Sequence, residues 1–249
     1  GFPTDLAVAS PAILLADSRN FESVAFGTIL ESAFGTSGSS YRDYADSSHF
    51  RLWSTLFQSV GLGYSLPLAG VSEVGSAILC RDHPIGKFHQ SCIRGKWGEP
   101  CNKCWKCFRK ELLSYAIDEH KPRTPDFRKM LAINEIQIRL SSFPISHENV
   151  ITYSLQRMAL DDLPYLKPIS DKLEMSKDLT FLEKWYPMSI DFVPDRYRNY
   201  IRSKILDLLE PTNFEDEERI RSWDMNPHLA STKAIRGQDR LISFWQDIG

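Results

Sequence analysis

No apolar run in the 249-residue sequence approaches the roughly 18 uncharged residues that a membrane-spanning helix requires. Nor does a charged start followed by an apolar stretch mark a secretory leader. The sequence therefore reads as a soluble, cytoplasmic protein with no membrane partner. Charge of one sign is lacking too: Lys+Arg 30 against Asp+Glu 32 leaves a formal net charge of -2, which excludes a chain-wide electrostatic signature of a nucleic-acid binder. Low-complexity tracts and internal repeats are absent. With 42% hydrophobic and 25% charged residues the composition is that of an ordinary globular chain, long enough for one large core or two modest ones. An initiator Met is missing as well: the sequence begins Gly1-Phe2-Pro3, as expected of a processed or partial product.

Cysteine is scarce, with five residues in all, yet four of them crowd into one stretch as Cys92-x8-Cys101-x2-Cys104-x2-Cys107. Two-residue gaps let neighbouring thiolates converge on one ion, and the longer loop with Gly95 and Gly98 can bring the fourth back over it. Tetrahedral zinc with four sulfur ligands is the expected occupant, in a structural role because no coordination position stays open. A disulfide cluster or unrelated buried thiols fit such crowding less well, and clustered thiols suit a reducing compartment. An iron–sulfur cluster competes, since Cys-x2-Cys-x2-Cys also opens ferredoxin motifs, but no cysteine follows Cys107 to complete one. Cys80, at the end of Ala77-Ile78-Leu79, reads as a small buried hydrophobe.

Along the chain, Ser10-Pro11 ahead of an apolar run predicts a helix over about 10–19. Strands are expected over Ser23–Gly27 and Tyr64–Leu68, with a ligand-binding loop over 35–48 between them. Trp53, Leu56, Phe57 and Val60 recur at helical spacing, and Val71, Val74 and Ile78 suggest a further short helix. This order points to part of an open parallel α/β sheet with flanking helices and a zinc-binding loop. After a helix over Phe108–Ile117 and a linker over Lys121–Asp126, the character turns mainly α-helical. Phe127–Arg139 reads as one helix. A second is capped by Ser146 and buries Ile151, Leu155 and Met158, and a third opens at Pro194 with Tyr197, Ile201, Ile205 and Leu208 inward. The expected division is 1–120 and 121–249.

Several polar groups have two readings. Gly35-Thr36-Ser37-Gly38-Ser39-Ser40 resembles a phosphate cradle but lacks the P-loop lysine and does not directly join an apolar strand to a helix, so an ordinary flexible loop is the favoured reading. Tyr41-Arg42-Asp43-Tyr44-Ala45-Asp46 can hold a polar heterocycle or magnesium, or can form a turn in which Asp46 or Ser47 caps a helix. Lys87, Arg94, Lys96, Lys103, Lys106, Arg109 and Lys110 collar the cysteines, either offsetting thiolate charge or reaching toward phosphate or nucleic acid. His89 is a spare ligand candidate beside four sufficient thiols. Arg198 and Arg202, with Arg196 and Lys204, form a ridge suited to RNA, an acidic partner or plain solvent.

The segment Ser91-Cys92 through Cys107 resembles the zinc signature of the 7-cyano-7-deazaguanine synthases, the QueC-like branch of the PP-loop ATP pyrophosphatases. Tyr44-Ala45-Asp46 is similar to that family's Tyr-Pro-Asp, and Leu66-Pro67-Leu68 to its Pro-Leu stretch, in the same order. The likeness covers about residues 3–112, the carboxyl half of the synthase domain. It implies an α/β fold, ATP and Mg2+ as cofactors, and activation of a carboxylate as an adenylate that a nitrogen nucleophile then attacks. It also implies contacts to substrate or magnesium near Glu31, Asp46, Lys87 and Arg94. No catalytic residue is assigned. Some QueC-like proteins sit in bacterial antiphage clusters, which points to modification of a protein or nucleic acid.

The departures bear on partners. The family's Ser-Gly-Gly-x-Asp-Ser loop and its strand are absent, Glu73 stands near an expected lysine, and the arginine after the last cysteine is displaced to Arg109. An N-terminal PP-loop half, in the same or a separate chain, is therefore the expected partner, since half a sheet exposes strand edges. The alternative is a non-catalytic, zinc-stabilised protein- or RNA-binding module.

Overall fold

A computed structural model describes residues 4–118 and 127–248. The linker expected over 121–126 lies outside them. In chain order the elements are α1 (Thr4–Arg19), β1 (Ser23–Ala25), α2 (Leu30–Phe34), α3 (Ser48–Ser59), β2 (Gly63–Ser65), α4 (Glu73–Asp82), α5 (Trp105–Ile117), α6 (Phe127–Leu131), α7 (Asn134–Leu140) and α8 (Glu148–Gln156). There follow α9 (Lys167–Ser170), α10 (Asp195–Leu206), α11 (Phe214–Arg221), α12 (Asn226–Leu229) and α13 (Thr232–Ile248). The class is mixed and mainly helical, with one two-stranded parallel sheet among the described residues. No helix among them is long and apolar enough to cross a membrane.

Two compact units interleave in sequence. The first takes residues through Gly35, Tyr41–Glu73 and Phe181–Arg221; the second takes Thr36–Ser40, Val74–Thr180 and residues from Ser222 on. Each therefore draws on residues from both sides of position 120.

In the first unit β1 and β2 run parallel in the register Ser23↔Gly63, Val24↔Tyr64 and Ala25↔Ser65. Both are shorter than the hydrophobic pattern suggests. β2 ends at Ser65 because Pro67 has no N–H for a ladder, and the chain turns instead through Ala69 N–H to Leu66 O and Val71 N–H to Leu68 O. A small core of Ala16, Val24, Phe57 and Leu62 packs α1 and α3 on the sheet. α1 starts well before the expected cap, which leaves Pro11 inside the helix. Ser47 does cap α3, accepting from Phe50 N at 3.0 Å. Of α3's expected apolar face only Phe57 is buried; Leu56 and Val60 are exposed, so the stripe is narrower than its periodicity implies.

The second unit is an α-helical assembly. Trp105, Phe108 and Leu112 of α5 share one core with Ile151 and Leu155 of α8, Ile169 of α9 and Leu241 of α13. The single helix expected over Phe127–Arg139 is two. Ile133 is extended (φ -86, ψ 121), and Asn134 and Glu135 start a fresh helix with acid in its first turn. Phe127, Leu131, Ile136 and Leu140 are all buried, which one continuous helix cannot achieve with a five-residue step from Leu131 to Ile136. Ser146 is not the cap of α8. His147 takes that place at φ 61, and the Glu148 carboxylate accepts from Ile145 N at 2.9 Å.

α10 follows Pro194 as expected, but Leu209 is buried where Leu208 was the expected contact. α11 to α13 are not among the expected elements, although Ala234 and Leu241 of α13, buried seven residues apart, carry a helical period.

Candidate metal centre

The cysteine stretch folds around the start of α5. Cys104 is its N-cap in extended conformation, φ -117 and ψ 161, and Cys107 follows within the first turn. One turn of helix thus aims two sulfurs at the same point. Cys104 Sγ lies 3.5 Å and Cys101 Sγ 3.8 Å from Cys107 Sγ. Asn102, at φ 53, makes the bend that brings Cys101 in. Cys92 returns from the far side of the loop, and the four sulfurs all lie within 4.8 Å of one another.

That return is laced by one side chain. Gln90 Nε2 donates to the carbonyls of Cys92 and Lys96, each at 2.9 Å, while its Oε1 accepts from Gly98 N at 2.6 Å. Gly98 takes φ +79 in the Lys96–Glu99 turn. Gly95 allows the two limbs to meet: a Cβ there would stand 2.1 Å from the Glu99 carbonyl oxygen. From α7, Glu135 braces the centre, pairing with Arg94 and accepting from Trp105 N at 3.3 Å.

The spacing fits one ion. Metal–sulfur bonds of about 2.3 Å in a tetrahedron put sulfurs about 3.8 Å apart. A disulfide needs about 2.05 Å, and all five cysteines are free. An iron–sulfur cluster, larger than a single ion, would spread its thiolates further. The four close cysteines therefore form a closed site suited to a structural metal, since every coordination position is taken by sulfur.

Electrostatics agree. The backbone N–H of Cys101, 3.4 Å from Cys92 Sγ, together with that of Arg94, draws the Cys92 thiol down to about 6. Burial beside the thiols of Cys104 and Cys92 pushes Cys107 up to about 12. The N–H of Lys103 lowers Cys101, but burial and its thiol neighbours leave it raised. At neutral pH without metal, then, Cys92 holds the negative charge and Cys101 and Cys107 keep their protons. Loading a dication is expected to release at least these two protons, so apparent metal affinity should fall as pH falls. Titration calorimetry in buffers of different ionisation enthalpy checks this; a buffer-independent heat would contradict it.

The other expected site residues are dispersed. His89 Nδ1 bonds Gly86 O at 2.5 Å and takes no part in the cluster. Lys87 lies with its Nζ 5.0 Å from the Phe88 ring centroid, and Arg109 is buried. Cys80 is half-buried rather than buried. Asp46 is 81% exposed in an ion pair with Arg51 at 3.2 Å. Glu31, only 1% exposed, accepts from the Glu73 N–H through both carboxylate oxygens at 3.0 Å. It therefore caps the first residue of α4. Glu31→Ala is expected to cost about 1–3 kcal/mol, seen in urea unfolding, by leaving that donor without its acceptor.

Gly38 O accepts from Trp223 Nε1 at 3.0 Å and Ser39 O from Met225 N at 2.6 Å, tying the Gly35–Ser40 loop down by its carbonyls. The α10 ridge is laced with acid: Arg198 meets Asp191 at 3.2 Å and Asp195 at 3.1 Å, Lys204 meets Asp207 at 3.3 Å, and Arg196 pairs with Glu22. Gln90 and Glu135 are the residues that sequence reasoning missed. Glu135 stands in the first turn of a helix whose start the sequence does not mark, and Gln90 carries no signal either.

Neither the curated proteins nor the solved structures yield a match. The family model described as "Family of unknown function (DUF6395)" matches residues 52–224, a span that holds all four clustered cysteines, and the chain belongs to that family.

Proposed function

We propose that the cysteine cluster binds one zinc ion as a structural staple, and that the chain is the substrate-binding half of a QueC-like, ATP-dependent ligase or amidating enzyme. Four sulfurs spaced for a single ion, with no open position, support the zinc. The single observation that carries the enzyme reading is a cleft of about 520 Å³ in the first unit, opening where β1 ends. Phe26, Tyr44 and Tyr64 line it with aromatic faces; Thr28, Ser32, Arg42 and His49 add polar groups. Ligands of parallel sheets bind beyond the carboxyl ends of strands, which suits β1 and β2 as the visible part of an open sheet.

A planar deazapurine-type carboxylate fits such walls. Its ring would lie against Phe26 and Tyr64, whose centroids are 5.0 Å apart, with the carboxylate toward the Arg42 guanidinium. Tyr44 Oη, 2.5 Å from His49 Nδ1, holds a polar edge in the cleft. ATP and Mg2+ would supply activation of the carboxylate as an adenylate with loss of pyrophosphate, and a nitrogen nucleophile would then displace AMP. An N-terminal PP-loop half supplies the phosphate site. The nucleophile belongs to a protein or nucleic acid, in keeping with antiphage defence.

The test is ATP–pyrophosphate exchange by the natural full-length protein with deazapurine carboxylates. Exchange that needs the carboxylate, with KM raised about tenfold or more by Arg42→Ala at unchanged metal content, is the expected result. Absence of ATP binding and of exchange with every such acid would leave only the non-catalytic module.

A further inference from the structure

The cysteine loop carries more positive charge than a metal centre needs. Between His83 and Lys110 seven Lys and Arg face one acid, Glu99, a net of +6 with histidines neutral in a chain whose total is -2. A dication on four thiolates is -2, so charge compensation accounts for two of the six. Arg94 is paired with Glu135 and Arg109 is buried. Lys87, Lys96, Lys103 and Lys106 are exposed and meet no carboxylate among the described residues.

Apolar groups are interleaved with these cations. Trp97, at the turn between Lys96 and Glu99, is 72% exposed, and Phe88, next to Lys87, is 57% exposed. Water-facing tryptophan on a turn held by Gln90 beside the cysteine cluster is a presented surface. Beside the turn, at Gly98, lies a cleft of about 290 Å³ lined by Cys92 and Cys107 together with Lys87, Lys106 and Lys110 and one acid, Glu111. Protein interfaces deplete lysine at their centres. Aromatic faces between lysines instead match what a strand of unpaired bases offers: a π-face on each base and a phosphate between successive sugars.

We propose that the cysteine loop of the second unit binds single-stranded nucleic acid, stacking a base on Trp97 and holding phosphates with Lys87, Lys96, Lys103 and Lys106. The site does not depend on the enzyme reading. A duplex hides its base faces and cannot stack on Trp97.

The test uses the metal-loaded full chain, with fluorescence anisotropy of labelled oligouridylate, oligodeoxythymidylate and a duplex of matched length. Both single strands should bind more tightly than the duplex. If each of the four lysines takes one phosphate, log affinity should fall against log salt with a slope of about -2.8. Trp97→Ala should weaken binding about tenfold at unchanged slope. The double variant Lys103→Ala, Lys106→Ala should flatten the slope by about 1.4. Metal content at the native level in both variants shows that the loop is intact. Preference for RNA or for DNA upholds the site and tells which strand it serves. No binding of either strand at low salt would overturn it, as would equal duplex binding unaffected by Trp97→Ala. Self-association lost in Trp97→Ala without any oligonucleotide binding would overturn it in favour of a protein contact. Pyrophosphate exchange should be unchanged in Trp97→Ala, so that failure here and failure of the enzyme reading are separate results.

Discussion

Replacing Cys104 with serine is expected to leave the metal under-coordinated and weakly held, and to lower the melting temperature by about 6–16 °C. Structural zinc contributes about 10–16 kcal/mol in small domains, hence roughly 3–4 kcal/mol per thiolate, and each kcal/mol shifts a chain of this size by about 2–4 °C. Serine is close to cysteine in volume and Cys104 makes no side-chain capping hydrogen bond, so the loss comes from ligation and not from a cavity or a missing cap. The damage should spread into the second unit, because Trp105 and Phe108 follow Cys104 on the first turn of α5 and belong to its core. Met130, packed against the cysteines, is a second route. Cys80→Ser is the control: half-buried and outside the cluster, it should retain metal and melt within about 2 °C of the parent. Retained metal and an unchanged melting temperature in Cys104→Ser would contradict a structural role.

Lys172→Ala should be almost as costly, at about 2–5 kcal/mol in denaturant unfolding. Lys172 is 1% exposed. Its Nζ donates to the carbonyls of Leu140 at 2.8 Å and Ser142 at 2.6 Å, closing the end of α7 where the helix has no further amides to offer. The Phe143 ring, 5.3 Å away, covers the ammonium, and the Glu148 carboxylate faces it. Burial draws its pKa down to about 8 from the ordinary 10.5, with the Glu148 charge opposing. Between those values the unfolded chain binds the proton and the folded one does not, so stability contributed at this site rises with pH from about 8 to 10.5. The parent should gain stability across that window relative to Lys172→Ala; parallel pH profiles would contradict the assignment.

How much was legible beforehand depended on whether the information was local. Cysteine spacing is local, and it placed the cluster correctly because a helix start fixes where the sulfurs at N-cap and first turn point. Ser47 and Pro194 announced α3 and α10 for the same reason. The break between α6 and α7 was not legible, since Phe127–Arg139 has no Gly or Pro to interrupt it and only packing of Leu131 and Ile136 into one core demands the kink. Glu31 is a ligand contact only by the family likeness, which cannot see its partner, the amide of Glu73, 42 residues away. The interleaving of two units, with Phe181–Arg221 completing the first, rests on long-range contacts such as Trp185 N–H to Glu210 O at 2.8 Å and Tyr186 N–H to Gly70 O at 2.9 Å. No spacing rule encodes those.

The metal itself is the most direct test of the central claim. Elemental analysis of the purified protein, combined with X-ray absorption at the metal edge, should give one zinc per chain with four sulfur neighbours at about 2.3 Å. Substoichiometric metal, oxygen or nitrogen in the first shell, or iron with short iron–iron distances would contradict it.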